Sequence, residues 1–234
     1  MIATEDLFVR PVEPQAESET ETAVKISTLL TQSTEDFKES RGGHVPDVLV
    51  NEVIHKVYTS LDSITNTFAE TAHRFVLVSQ KDDELYGTIL IAKSTDIVLV
   101  KNSKCLNVPV GENSGGTPRQ YHSVINFATK KEYRLNGLAK MMLKEISRNH
   151  RDLFAGKGLW IRGEPPLHDA IIGVGFQHRT EYDQFCHAGA QLPPSTSSVW
   201  DFNKKYLCSC RRAEKQMEIM KTQKYKYGIF TIDF

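Results

Sequence analysis

The stretch from Tyr121 to Ile146, YHSVINFATKKEYRLNGLAKMMLKEI, constrains the fold more than any other part of the chain, because two periodicities meet inside it. Ser123 to Ala128 is rich in β-branched and aromatic residues, with Asn126 interrupting the apolar run, and reads as a largely buried strand. Leu135, Leu138, Met142 and Ile146 then recur at steps of three and four, which sets them on one helical face, while Lys140, Lys144 and Arg148 take the other. Between strand and helix stands Arg134-Leu135-Asn136-Gly137-Leu138-Ala139, with Gly137 expected inside the first helical turn. A glycine there costs about 1 kcal/mol relative to alanine, so it points to close backbone approach rather than to packing. The first amides of a helix have no internal partners and carry the positive end of its dipole. A strand feeding such a turn is a ready site for a phosphate or pyrophosphate.

The pattern Arg-x-x-Gly-x-Ala at 134–139, directly after an apolar strand and opening an amphipathic helix, resembles the acetyl-CoA-binding motif of the GCN5-related N-acetyltransferases, the GNAT superfamily. That motif is usually Gln or Arg, two residues, Gly, one residue, then Gly or Ala. A second likeness lies at Gly175-Phe176, and the resemblance covers the chain between residues 7 and 185, most closely from 121 to 177. It implies an α+β fold of three layers, GNAT-like, with a mixed, mainly antiparallel central sheet flanked by helices. It also implies acetyl-CoA as cosubstrate and transfer of its acetyl group to an amine by direct attack in a ternary complex. By position, Phe127, Ala128 and Thr129 would form the strand edge that pairs with the pantetheine amides. Arg134, Leu135, Asn136, Gly137, Leu138 and Ala139 would hold the pyrophosphate.

The rest of the chain is read in order. Leu7 to Val12 alternates apolar with polar and suggests a first strand, followed by an acidic stretch from Glu13 to Thr22. Ala23 to Thr31 reads as a helix with Val24, Leu29 and Leu30 apolar and Ile26 alongside, and Gln32 to Pro46, containing Arg41-Gly42-Gly43-His44, as a loop. By resemblance that loop borders the acceptor substrate. Asp47 to Phe68 is helical in pattern. Arg74–Ser79 and Leu85–Ala92, flanking the polar turn Lys81–Glu84, form a hairpin. Residues 96–119 read as an inserted arm, a strand over Asp96–Lys101 and a loop over Val110–Pro118. Gly158–Arg162 is a short strand, Leu167–Ile172 a helix closed by Gly173–Phe176, and Gln177–Phe185 the next strand. The chain is thus expected to hold a GNAT-like acyl-CoA-binding domain over 1–190. Residues 191–234 form a C-terminal extension, with a loop at Leu192–Ser198, a charged helix from Cys210 to Lys226 and a last strand at Tyr227–Ile232.

Catalysis is where the sequence departs from the family. Counting back from Gly175-Phe176 puts Glu164 where the family has Asn, Leu167 at its Ala and Ile171 at its Tyr. The tyrosine that often protonates the leaving CoA thiolate is therefore missing. Candidate bases are Glu164, at the end of a strand, His122, on the cofactor strand, and Asp183, with Tyr182 as a substitute acid. The absent tyrosine motivates a rival reading, a catalytically silent GNAT-fold binding or regulatory module that keeps the acyl-CoA site.

Charge and composition narrow the remaining classes. Lys plus Arg equals Asp plus Glu at 29 each, so no global field draws the chain to nucleic acid or an anionic membrane. The basic tail, Arg211, Arg212, Lys215, Lys221, Lys224 and Lys226 with Tyr206, Tyr225 and Tyr227 interleaved, allows a rival nucleic-acid-binding reading, but Glu214 and Glu218 interrupt the patch and a solvated helix face is expected. The acidic N-terminus is not a secretory signal and no apolar run approaches a membrane span, so a cytoplasmic protein is expected, with the nucleus left open. Cys105, Cys186, Cys208 and Cys210 are read as reduced thiols, and the one-residue spacing of Cys208 and Cys210 does not suit zinc, so no metal is expected. The expected partner is an amine acceptor, either a small molecule or a protein, and a homodimer is left open.

Overall fold

The structure, a computed structural model, describes residues 6–13, 19–40, 72–95, 97–101, 104–108, 121–134, 136–155, 157–163, 168–182, 187–190 and 228–234. The helical stretch expected at 47–68, the loops at 110–118 and 192–198 and the charged helix at 210–226 lie outside these residues. The chain divides into two units, residues 1–91 with 126–146, and residues 92–125 with 147–234.

In the first unit, strand β1 (Leu7–Pro11) pairs antiparallel with β2 (Ala72–Ser79), in the register Leu7↔Ser79 to Pro11↔Phe75. β1 alternates as an edge strand does, Leu7 and Val9 inward and Phe8 exposed, whereas β2 is buried along almost its whole length. The hairpin to β3 (Leu85–Thr95) forms as expected. Its turn is held by Ser79 N–H to the Glu84 carbonyl at 3.0 Å and Asp83 N–H to the Ser79 carbonyl at 3.1 Å, with Asp83 at φ 51°. Strand order in this unit is β1-β2-β3-β6, where β6 is Tyr121–Thr129.

Helix α1 (Glu19–Ser40) corrects two expectations. It runs on through the segment read as a loop from Gln32, because 32–40 contains no Gly or Pro and the Gly42-Gly43 breaker comes later. Its inward face is Ala23, Ile26, Leu29 and Leu30, packed on Val76, Val78, Leu85 and Ala128, while Val24 is 50% exposed. Helix α2 (Leu138–Asn149) buries Leu138, Met142, Leu143 and Ile146 and exposes Lys140, Lys144 and Arg148 as read from the sequence. It begins at Leu138, after the Gly137 expected inside its first turn. Gly137 stands outside the helix at φ +78°, its carbonyl accepting the Met141 amide at 2.9 Å, so it is the capping residue and not part of the first turn.

In the second unit, β6 runs parallel to β7 (Gly158–Gly163), in the register Tyr121↔Gly158 to Val124↔Ile161. The last strand, β10 (Gly228–Ile232), pairs antiparallel with β7 on one side and with β8 (Gln177–His178) on the other, giving the order β6-β7-β10-β8. Gly158 is required by close approach, since a β-carbon there would stand 2.1 Å from the Ile232 carbonyl oxygen and 2.8 Å from the Tyr121 ring. The strand expected over Gln177–Phe185 is a correction. It stops after His178 and gives way to a 3-10 turn at Thr180–Tyr182. Helix α3 (His168–Ile172) lies between β7 and β8 in sequence.

The inserted arm is a hairpin, β4 (Ile97–Lys101) with β5 (Lys104–Val108), and β9 (His187–Ala190) adds to β4 as an unexpected third strand. The α+β class is therefore as expected. The sheet is mixed and mainly antiparallel, parallel at β6–β7, and helices pack on it.

Candidate functional site

The segment between β6 and α2 is wound by its own backbone. Lys130 N–H donates to the Tyr86 carbonyl at 3.0 Å, a 3-10 turn follows at Lys131–Tyr133, and the amides of Tyr133, Arg134 and Asn136 bond back to Lys130, Lys131 and Tyr133. These bonds carry the chain to Gly137, where the helix starts and the amides of its first turn are left without intrahelical acceptors. No acidic residue occupies that first turn, and Asn136 and Gly137 are exposed. Among the described residues, a β-carbon on Gly137 would meet nothing within 4 Å. The positive φ favours glycine, and the helix that follows carries no acidic residue in its first turn.

Arg134 is fixed at two points. Its Nε–H donates to the Thr129 carbonyl at 3.3 Å, and its Nη2 lies 2.7 Å from Asp36 Oδ2. The other oxygen of Asp36 accepts from Lys131 Nζ at 2.7 Å. The Lys131 hydrogen bond, with the Arg134 charge adding to it, holds the Asp36 carboxyl below its ordinary range. Beside this, Lys130 pairs with Glu84 and lies 5.1 Å over the Tyr86 ring, and Tyr86 donates its hydroxyl to Glu84 at 2.9 Å. Tyr86 also packs against Tyr133, ring centroids 5.3 Å apart. Burial first, and then the Glu84 carboxylate, push the Tyr86 hydroxyl far above its ordinary pKa, so it stays protonated and is a poor acid.

Among the strand residues expected to face the pantetheine, Phe127 is half-buried, and Ala128 and Thr129 are buried. β6 continues to Thr129 although its parallel ladder with β7 ends at Val124↔Ile161. Of the candidate site residues, Thr129 ends β6 and accepts from Arg134, Asn136 and Gly137 precede α2, and Leu138 and Ala139 open it. Leu135 lies outside the described residues.

The candidate catalytic residues fare differently. His122 is only 5% exposed, its Nε2 sits 3.3 Å from the Phe154 carbonyl and its ring packs on Phe154 at 5.4 Å. A carbonyl only accepts, so that nitrogen carries the proton. Tyr182 ends the 3-10 turn at Thr180–Tyr182, while Glu164 and Asp183 lie outside the described residues. Ile171, standing at the family tyrosine, is a buried core residue whose Cδ1 would be 2.6 Å from a β-carbon on Gly163. Two features went unread in the sequence. Asp36 lay in a segment taken for a loop, and the His168–His178–Phe230 ring cluster, with His168 Nε2 donating to the Gly163 carbonyl at 3.1 Å, joins residues distant in the chain. Among the described residues no group of three or more His, Cys, Asp or Glu could hold a metal ion. Among them, too, no helix is long and apolar enough to cross a membrane.

No protein-family model and no curated protein matches the chain. Its fold is similar to solved structures of acetyltransferases. With the ribosomal-protein-S5-alanine acetyltransferase of Vibrio fischeri it shares 12% identity over 76% of this chain and 83% of that one, at a TM-score of 0.42. For Arabidopsis thaliana NAA60 in complex with acetyl-CoA the values are 15%, 74%, 85% and 0.41. For the ribosomal-protein-S18-alanine N-acetyltransferase of Escherichia coli they are 11%, 74%, 78% and 0.40. At TM-scores this low the likeness carries no argument about chemistry, which rests on the residues of the chain itself.

Proposed function

We propose that the chain is an acetyl-CoA-dependent N-acetyltransferase of the GNAT superfamily. The observation that carries this reading is the turn at Gly137: a positive-φ cap whose β-carbon position is clear of the described residues, a first helical turn free of acidic side chains, and Arg134 anchored in the segment before it. Such a turn suits a pyrophosphate, which the amides of the first helical turn and the guanidinium would hold. Phe127, Ala128 and Thr129 are the proposed edge for the pantetheine amides, and Leu135 to Ala139 the proposed diphosphate loop.

The reaction is direct attack. The neutral amine adds to the thioester carbonyl, the tetrahedral oxyanion collapses, the C–S bond breaks, and the amide nitrogen gives up its proton while the CoA thiolate gains one. Holding thioester and amine together contributes at most about 7–11 kcal/mol to lowering the barrier. A base is still needed because most amines are protonated near neutral pH. Glu164 is the proposed base and Tyr182 the proposed acid, since Ile171 has no proton to give. The burial of His122 and its bond to Phe154 favour a packing role for that ring over the base role. The acceptor is an amine of a small molecule or of a protein.

The test is release of CoA thiol from acetyl-CoA by the purified protein in the presence of a panel of polyamine, arylalkylamine and peptide amines. Amine-dependent thiol release supports the enzyme. Tight binding of acetyl-CoA with no release for any amine would favour the second reading, a silent binding or regulatory module, which the apolar Ile171 at the family tyrosine motivates.

A further inference from the structure

We propose that Asp36, on helix α1, is the positioning residue of the diphosphate site: its carboxylate bridges Lys131 and Arg134 and so presents both cations to the anion that settles on the Gly137 turn. This rests on the acetyl-CoA reading above and adds a residue that the motif itself does not contain.

Asp36 Oδ1 accepts from Lys131 Nζ at 2.7 Å, and Oδ2 lies 2.7 Å from Arg134 Nη2 as an ion pair without hydrogen-bond geometry, so one carboxylate faces two different cations. Arg134 gives its Nε–H to the Thr129 carbonyl. With Nε bonded to the Thr129 carbonyl and Nη2 paired with Asp36, the guanidinium is held at two atoms. The Asp36 side chain is 16% exposed, whereas Lys131 is 65% and Arg134 34% exposed, so the anchor is covered and the two cations remain open to solvent. An anchored pair of cations with one carboxylate between them keeps a net positive charge and loses less side-chain freedom when a phosphate arrives. The carboxylate also ties the C-terminal half of α1 to the turn, although α1 contributes nothing to the motif in sequence.

The alternative is that Asp36 merely neutralises Arg134 and must be displaced by the ligand. The two differ in sign. If Asp36 positions, removing its charge weakens binding of the diphosphate alone. If it competes, removal tightens it.

The experiment titrates native protein, Asp36→Asn and Asp36→Glu with coenzyme A by calorimetry, and with pantetheine, which lacks the diphosphate and nucleotide, by ligand-observed NMR at millimolar concentration. The proposal expects Asp36→Asn to bind coenzyme A about tenfold more weakly, with pantetheine unchanged, and Asp36→Glu to recover much of the loss. A general structural role would weaken both ligands together and would overturn it. Unchanged or tighter binding of coenzyme A by Asp36→Asn would overturn it while leaving the cofactor site standing. No binding by native protein would sink the acetyl-CoA reading as well. Should Asp36→Asn lose its cooperative melting transition, Asp36→Ser gives the same comparison.

Discussion

Gly87 on β3 and Met142 on α2 stand so close that a β-carbon on residue 87 would lie 2.8 Å from the Met142 sulfur, and 3.3 Å from the Ala128 carbonyl oxygen. Met142 is completely buried, so the contact fixes how α2 seats on the strand behind it. The Gly137 turn opens that same helix, and Thr129, the Arg134 anchor, contributes its Cγ2 3.4 Å from the same point. The site is therefore held from the core side by a missing side chain.

Filling that space is expected to destabilise the protein. Gly87→Val should cost about 1–3 kcal/mol by overpacking, read as a lower urea midpoint at unchanged slope. Gly87→Ala should cost less, because the Met142 thioether can swing aside while the Ala128 carbonyl cannot. A valine variant within about 0.5 kcal/mol of native would show that the helix floats on the sheet.

Acid should find the Asp36 bridge. The folded-state pKa of Asp36 lies below its ordinary 3.8, with the Lys131 hydrogen bond the main cause, so its contribution is present in full above that value and is lost as pH falls through the folded one. Glu84, lowered chiefly by its hydrogen bond from Lys130, acts in the same direction from its ordinary 4.5. Melting temperature measured between about pH 5 and pH 2.5 should fall less steeply in Asp36→Asn than in the native protein. Identical slopes would mean that the bridge is not formed in solution.

Much of this architecture was legible because it is written locally. Alternation at Leu7–Val9, the β-rich runs around Lys81–Glu84, and the three-and-four spacing of Leu138, Met142 and Ile146 each report a periodicity within a few residues. What could not be read depends on partners far away in the chain. Nothing near His187 announces that it will pair with Val100, and nothing near Phe230 says that its strand will lie between β7 and β8. Val24 and Ile26 were misplaced because one short helical window fits more than one face, and the packing on Val76 and Val78 decides which. Arg134 and Gly137 could be named from their motif, whereas Asp36 carries no motif and is found only when α1 is built to Ser40.

Turnover should separate from binding at Glu164. Glu164→Gln is expected to lower kcat by about 10²–10⁴-fold with coenzyme A affinity unchanged, since it removes the proposed base and changes no residue of the proposed diphosphate loop. Steady-state rates against amine concentration at two pH values would read this directly. Equal rates in both proteins would take Glu164 out of the mechanism.

His122 should answer to stability and not to rate. Removing a buried ring that packs on Phe154 and bonds its carbonyl should cost about 1–3 kcal/mol in His122→Ala. The pH–rate profile of the surviving fold should match that of the native protein. A lost acidic limb in that profile would restore the histidine as the base.

Binding of acetyl-CoA at the Gly137 turn, as proposed, is open to calorimetric titration with that ligand. Native protein should bind with micromolar affinity. Gly137→Glu should remain folded, because a β-carbon there would meet nothing within 4 Å among the described residues and the positive φ costs about 1–2 kcal/mol. It should nevertheless bind no acetyl-CoA, since it sets a carboxylate where the diphosphate would sit. Absence of binding by the folded native protein, or equal binding by the variant, would contradict the account.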